Sequence, residues 1–280
     1  MNLKKITDEE YANLRTEKKE EIRVSKKMSK IQQIFSDTLQ RGIERILSFF
    51  AKYDDREIDR TIDFEKQIHY FSELISGMKY TQEDIGEFCF QVTEEKIEKI
   101  KEMYVLPAIS LFISALINHH YAKTRTEEKY VLAFPEIKMK NLCYGLSGGN
   151  VRIIGDVSDF VCENMQNGTV EIDGNAGSDA GVYMHGGTLH IHENSGNTCG
   201  CYNHGGKIIV DKNTGTNTGL HMERGIIIVN GTVEMRALEI NGGEVWERGN
   251  LLYPTEFEKE FKKENWEKRL GKRKESVDEI

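Results

Sequence analysis

The chain has 280 residues, 38% of them hydrophobic and 30% charged, with a formal net charge of −8. That is apolar enough to bury a core and charged enough to argue for a soluble protein, and it lacks the basic patch or stripe that marks nucleic-acid binders. Five cysteines, an odd number without a repeated CxxC spacing, point to reduced thiols in a cytoplasmic setting.

The opening run Met1-Asn2-Leu3-Lys4-Lys5-Ile6 passes directly into charged residues and has no apolar signal-peptide core. The first 25 residues are too polar to bury well and read as a projecting helix. Ile31, Ile34, Phe35, Leu39, Ile43, Ile46, Leu47 and Phe50 then recur at three- and four-residue spacing, which places them on one helical face. A second stripe runs through Ile58, Ile62, Ile68, Phe71, Leu74, Ile75 and Met78. Thr81-Gln82-Glu83-Asp84 has the form of a capping box ahead of Ile85, Phe88, Val92, Ile97, Ile100 and Met103. Pro107 should kink or restart the next helix, because it donates no backbone hydrogen bond. The apolar run Val105 to Ile117 is shorter than the roughly 20 residues of a membrane span and predicts a buried core helix. About four helices packed as a bundle are expected.

Glycine divides the chain. Only Gly42, Gly77 and Gly86 precede residue 140, and the other 22 glycines fall from Gly145 onward. The expected organisation is a helical domain over 1–130, a repeat domain over 131–250, and a terminal helix with a charged tail over 251–280. In that tail Phe257, Phe261, Trp266 and Leu270 share a face suited to covering an open strand edge. Lys268, Arg269, Lys272, Arg273 and Lys274 read as solvated.

Gly149, Gly168, Gly187, Gly206 and Gly225 stand 19 residues apart and delimit four units, 150–168, 169–187, 188–206 and 207–225, with an irregular fifth. The second and fourth positions are aliphatic throughout: Val151/Ile153, Val170/Ile172, Leu189/Ile191, Ile208/Val210 and Ile227/Val229. Such alternation puts both side chains on one face of a short strand, and a strand that short must stack on its neighbours to bury that face. Asp156, Asn175, Asn194 and Asn213 share a position where amides can bond along a column. Val161, Ala180, Cys199 and Thr218 share one that must be small. Met165, Met184 and Met222, interrupted by Asn203, read as flexible core filler. Gly177, Gly196 and Gly215, and also Gly181, Gly200 and Gly219, mark turns where a side chain would clash or φ must be positive. Unit one has Ser158 and Cys162 at these two places and reads as a modified end coil.

The segment GNAGSDAGVYMHGG, carrying Gly174, Gly177, Gly181, Met184, Gly186 and Gly187, resembles the GXGXG repeat domain found in the glutamate synthase large subunit and in formylmethanofuran dehydrogenase. The likeness spans about residues 148–243. It implies a right-handed parallel β-helix that supports and connects other domains or subunits and carries no catalytic residue or cofactor of its own. Glu193 and Lys212, where the pattern has a glycine like Gly174, and Asn203, in place of a methionine, depart from it. The helical half shows no comparable likeness.

Histidine supplies the candidate metal ligands. His185 and His204 fall in one column on adjacent coils, and His190 and His192 lie two apart on one strand. Either pair could hold zinc, but a third and fourth ligand at suitable spacing are not apparent, so exposed polar positions are the preferred reading. Cys199 and Cys201 read as buried structural thiols rather than a redox pair. The glycine groups lead into strands, not into the helix that phosphate binding by GxGxxG requires.

The expected protein is therefore α+β: a helical bundle, a parallel β-helix of 19-residue coils and a short terminal helix. The preferred function is a non-catalytic scaffold that presents its column to a protein partner or to a second copy of itself. No cofactor, nucleic acid or membrane span is expected. The alternatives are an accessory subunit of a redox complex, implied by the resemblance, and a β-helix enzyme acting on a small molecule or sugar.

Overall fold

The structure, a computed structural model, describes residues 33–39, 41, 64–95, 105–134, 137–237 and 239–254. Residues 33–39 are helical, and α1 (Phe64–Ile75), α2 (Gln82–Glu95) and α3 (Val105–Thr124) follow. The capping box forms as the sequence predicts: the Thr81 amide donates to Asp84 Oδ2 at 2.7 Å, and the Asp84 amide donates to Thr81 Oγ1 at 3.2 Å. Pro107 sits in the first turn of α3, where a missing N–H costs nothing, so the helix restarts there instead of kinking. Ala108 to Ile117 are buried on every side of α3. Among the described residues, no helix is long and apolar enough to cross a membrane. Phe35, Phe71 and Phe88 gather around Phe112 with ring centroids 5.1–6.1 Å away, so the helices meet through aromatic edges. The stripe residues that precede Phe64, Ile34, Phe35 and Leu39 excepted, lie outside the described residues, as do the terminal helix and charged tail.

The second half is a β-solenoid of about six coils. Strands β1 (Lys129–Ala133), β2 (Asn150–Ile154), β3 (Thr169–Ile172), β4 (Thr188–Ile191), β5 (Lys207–Val210), β6 (Thr214–Thr218), β7 (Ile226–Val229), β8 (Val233–Arg236), β9 (Glu244–Glu247) and β10 (Asn250–Tyr253) supply it. The main sheet runs β1-β2-β3-β4-β5-β7-β9-β10, parallel as far as β9. The aliphatic pairs named from the sequence all point inward and are at most 1% exposed. A second inward column, Ala176, Ser195, Thr214 and Val233, is bridged coil to coil and closes another side of the core.

Asn150 through Ile226 keep the 19-residue step. The structure adds one coil ahead of the four units, since β1 pairs with β2 through Lys129↔Asn150. That coil is 21 residues long, so β1 stands two residues out of phase, and Glu128 rather than a glycine precedes it; the sequence pattern therefore starts one coil late. Tyr130 and Leu132 nevertheless occupy its inward positions at 0% exposure.

The two expectations for the turn glycines separate. Gly177 has ordinary φ but no room: an added Cβ would lie within van der Waals overlap of the Asp159 carboxylate and the Ser158 backbone. Gly200 has φ +69°, and its Cβ would also run into Ile227. Cys162 occupies the equivalent place with φ +59°, but its unit is the second coil and not the end coil expected from the sequence; in the first coil Cys143 stands there with φ +61°.

The helices cover the first coil. Gly86 lets α2 approach the Val131 carbonyl, where a Cβ would stand 2.8 Å from the oxygen. Gln82 Nε2 donates to the Glu128 carbonyl at 2.8 Å, and His120 Nδ1 lies 2.8 Å from the Tyr130 hydroxyl. One continuous apolar core runs from Phe35 to Tyr253 through both halves. At the far end β10 folds back antiparallel on β9, and the Tyr253 hydroxyl donates to the Ile240 carbonyl at 2.6 Å. This hairpin covers the last parallel strand.

The shared polar column is a hydrogen-bonded ladder. Asn175 Nδ2 donates to Asp156 Oδ1 at 3.0 Å, Asn194 Nδ2 to Asn175 Oδ1 at 2.9 Å, and Asn213 Nδ2 to Asn194 Oδ1 at 3.2 Å. The same acceptors take the backbone amides of Asn175, Asn194 and Asn213. Replacing Asn194 by Ala removes one acceptor and strands two donors, so the expected cost is about 1–3 kcal/mol in denaturant unfolding. Asn213→Ala, at the more exposed end of the ladder, should cost less, and equal losses would show that the column contributes no ladder stability.

Candidate functional site

The pleat sends alternate residues of every strand outward, so each outward position becomes a column across the coils. On the main sheet one column runs Val131, Arg152, Glu171, His190, Ile209, Ile228 and Trp246. A neighbouring column, just past the strands, contains Asp173, His192, Asp211 and Asn230 at the same 19-residue step. Lys129 Nζ pairs with Glu171 at 2.6 Å, Arg152 Nε with Asp173 at 3.1 Å, and Lys212 with Glu193. Acids and bases thus interdigitate between coils.

In the middle of this face stand His190, His192 and Asp211. Their rings and carboxylate converge: His190 Nε2 lies 3.0 Å from Asp211 Oδ1, and His192 Nδ1 lies 2.9 Å from Oδ2. The two ring centroids are 4.1 Å apart. Burial works against ionisation of Asp211, but contact with the two imidazoles and the Asn230 amide outweighs it and holds the carboxyl below its ordinary range. Both histidines are candidates from sequence, whereas Asp211 is not among them. The expected lack of a third ligand is thereby corrected: Asp211 follows His192 by one coil in the same column, and that was the signal available.

The other histidine pair belongs to a different side of the coil. His185 and His204 stack at 5.1 Å, and His204 Nδ1 meets Glu223 Oε2 at 3.0 Å. Beside them, Tyr183 and Tyr202 stack at 5.1 Å with ring planes 16° apart, and Tyr202 continues onto His221 at 4.8 Å. Tyr183 is 42% and Tyr202 37% exposed. The outcome is an aromatic ridge rising over three successive coils.

The backbone beneath that ridge is unusual. In each coil three residues, two apart, take positive φ: Asp179, Gly181 and Tyr183, then Thr198, Gly200 and Tyr202, then Asn217, Gly219 and His221. The alternation turns successive amides toward opposite neighbours, so Gly181 N–H reaches back to Val161 and Tyr183 N–H forward to Cys201. Gly145 and Asn164 fill the ridge position in the first two coils at φ +56°. Tyrosine there costs roughly 1–2 kcal/mol of backbone strain. Spacing in the sequence reveals the glycine in this turn but not the aromatic column beside it, because the members of that column change from Asn to Tyr to His.

The cysteines are free and buried, with Cys199 and Cys201 pushed up to about 11 chiefly by burial. Thiols held protonated in this way pack as small apolar groups, as predicted from their columns. Met165, Met184 and Met222 are fully buried, as is Asn203 between the last two, whose Oδ1 accepts the Gly205 amide at 2.8 Å.

The chain matches no protein-family model, and no curated protein sequence matches it.

Near the foot of the ridge, burial pushes the Glu163 carboxyl up to about 7, assisted by the negative charge of Asp179 and opposed by the hydrogen bond from Asn141. A carboxyl raised above its unfolded value of 4.5 binds more protons in the folded state, so its contribution to stability falls as pH rises from about 4.5 to 7. Glu163→Gln, which keeps an acceptor for Asn141, should therefore raise the melting temperature at pH 8 by a few degrees, roughly the effect of 1 kcal/mol. Little change is expected at pH 4.5. An equal gain at both pH values would contradict the shift.

Proposed function

We propose that the chain is a non-catalytic assembly module whose solenoid, wound right-handed as the repeat resemblance implies, presents a fixed aromatic ridge to a protein partner. The helices act as a bundle that closes one end of the column, in a reducing compartment such as the cytoplasm where five free thiols persist.

The observation that carries this reading is the exposed stack of Tyr183 and Tyr202, continued on the next coil by the half-buried His221. Tyrosines pre-ordered by stacking lose little side-chain entropy on binding, and they are enriched in the anchors of protein interfaces. Two of them stand at strained backbone positions where the first coils carry glycine and asparagine. Strain of that kind persists when the surrounding fold enforces it, and it is worth keeping where the side chain has a task.

The 19-residue repeat supports a second reading, an accessory subunit of a redox complex. A flavin or iron–sulfur enzyme captured in stoichiometric amount would select it.

The test is affinity capture from native cells, with light scattering to detect self-association. Tyr183→Asn/Tyr202→Asn is the informative variant, since asparagine tolerates positive φ and already occupies this column at Asn164. The wild type should bring down a stoichiometric partner or associate with itself, and the double variant should lose that association by at least roughly tenfold in affinity, as two lost anchors imply. Its thermal stability should hold or rise. A partner bound equally by both proteins would sink the ridge, and a wild type that binds nothing would sink the module.

A further inference from the structure

Three acids on the face of the main sheet around this cluster are matched by fixed cations: Glu171 by Lys129, Asp173 by Arg152 and Glu193 by Lys212. Asp211 differs. Among the described residues its ionic partners are two imidazoles, His190 and His192, with the Asn230 amide as its remaining neighbour. A carboxylate that gathers two imidazole nitrogens and no lysine or arginine has the donor chemistry of a transition-metal site.

Geometry supports the same conclusion. One donor atom from each of His190, His192 and Asp211 lies within 4.8 Å of the others. A tetrahedral ion with ligands at 2.0–2.1 Å holds its donors about 3.3 Å apart, so small rotamer changes bring all three into range. His190 Nε2 is shielded from water and stands 3.0 Å from Asp211 Oδ1 without the alignment of a hydrogen bond. To ligate an ion, this nitrogen needs only to give up any proton it carries, since no other protein group holds it. Asn230 Nδ2 donates to Asp211 Oδ1 at 3.1 Å, the kind of outer contact that orients a ligating carboxylate. The side chains of the three residues are 20–35% exposed, which leaves an approach from solvent.

The stacked pair His185 and His204 lacks these features. Its ring planes lie 29° apart, face to face, and its acid, Glu223, is 55% exposed in its side chain and contacts only one of the two rings.

We propose that His190, His192 and Asp211 bind one divalent transition-metal ion of the zinc type, bridging two adjacent coils and leaving one coordination position open. His190 ligates through Nε2 and His192 through Nδ1, the nitrogens already turned toward the carboxylate. The site is independent of the aromatic ridge, and neither requires the other.

The test is calorimetric titration of zinc chloride into the untagged, metal-stripped full-length protein at pH 7.5, followed by cobalt(II) titration read by visible absorption. One equivalent of zinc should bind, and cobalt should give the absorption of a four-coordinate nitrogen–oxygen site. Asp211→Asn and His192→Ala should each weaken binding by at least roughly tenfold, a loss typical of removing a ligand or its support. His204→Ala should bind as the wild type does. Melting of each variant without metal, followed by circular dichroism, separates a lost ligand from a lost fold. His190→Gln serves as a further ligand variant should His192→Ala melt early. Absence of saturable binding up to millimolar zinc would overturn the proposal and leave an ordinary histidine–aspartate ion pair. Binding retained by the folded Asp211→Asn and His192→Ala variants, or lost only in His204→Ala, would overturn it equally.

Discussion

Parallel pairing from coil to coil is the interaction on which the rest depends. Strands of four or five residues have too little area to hold together alone, and each obtains its backbone partners from the coils above and below. Pairing in constant register places every side chain about 4.8 Å from its counterpart one coil away. Each position must then tolerate its own neighbour. Asparagines solve this by donating to one coil and accepting from the next, as at Asn175 and Asn194. Rings solve it by stacking, as at Tyr183 and Tyr202. Charges solve it by changing sign between coils, as at Glu193 and Lys212.

A column built in this way has two raw ends, and each is closed by a different means. At the first coil the apolar core continues into the helices, with α2 drawn close by Gly86 and Tyr130 held by His120. At the last, β10 turns back on β9 and buries Tyr253 beneath the hairpin. The closures matter because unpaired parallel edges template the addition of further strands. They also explain the departures from the repeat. Cys143 and Cys162, at positive φ where later coils have glycine, lie in the first two coils, where Cys143 neighbours Cys89 of the covering helices and Cys162 neighbours Cys143.

What repeats was legible in the sequence, and what crosses between columns was not. The strand faces, the amide ladder, the methionine filler and the small-residue column all follow from spacing, because translation by one coil preserves their contacts. The first coil escaped notice because its 21-residue length puts β1 out of phase and no glycine precedes that strand, although Tyr130 and Leu132 alternate as later pairs do. Asp211 stands in the His192 column, but its convergence with both rings escaped because His190 reaches it diagonally, from one column to the next, and a column-by-column comparison does not see diagonal contacts. The positive φ of Tyr183 and Tyr202 escaped because glycine is the usual sign of that conformation and neither residue is glycine. The close approach of α2 to the solenoid hung on Gly86 alone, one residue outside any period.

The same geometry explains why a three-donor site is easy to place on such a sheet. Two residues apart in nearly extended chain, His190 on β4 and His192 just past its end have backbones separated by roughly 6.6 Å, and Asp211 lies one coil away from His192. Neither spacing alone suits a small cation. Side chains that lean inward from the corners of this triangle shorten both, and imidazole has the reach to do so without moving the backbone. The observed 2.9 and 3.0 Å contacts to the two carboxylate oxygens are that convergence. Because strand register fixes the three corners, neighbouring substitutions alter the charge around the triangle but not its shape. Ile209 and Ile228, next in the His190 column, leave its far side apolar and its carboxylate without a competing base. The ladder that demands compatible neighbours in every column thereby supplies, on its outward face, a frame stiff enough to hold donors in place before any ligand arrives.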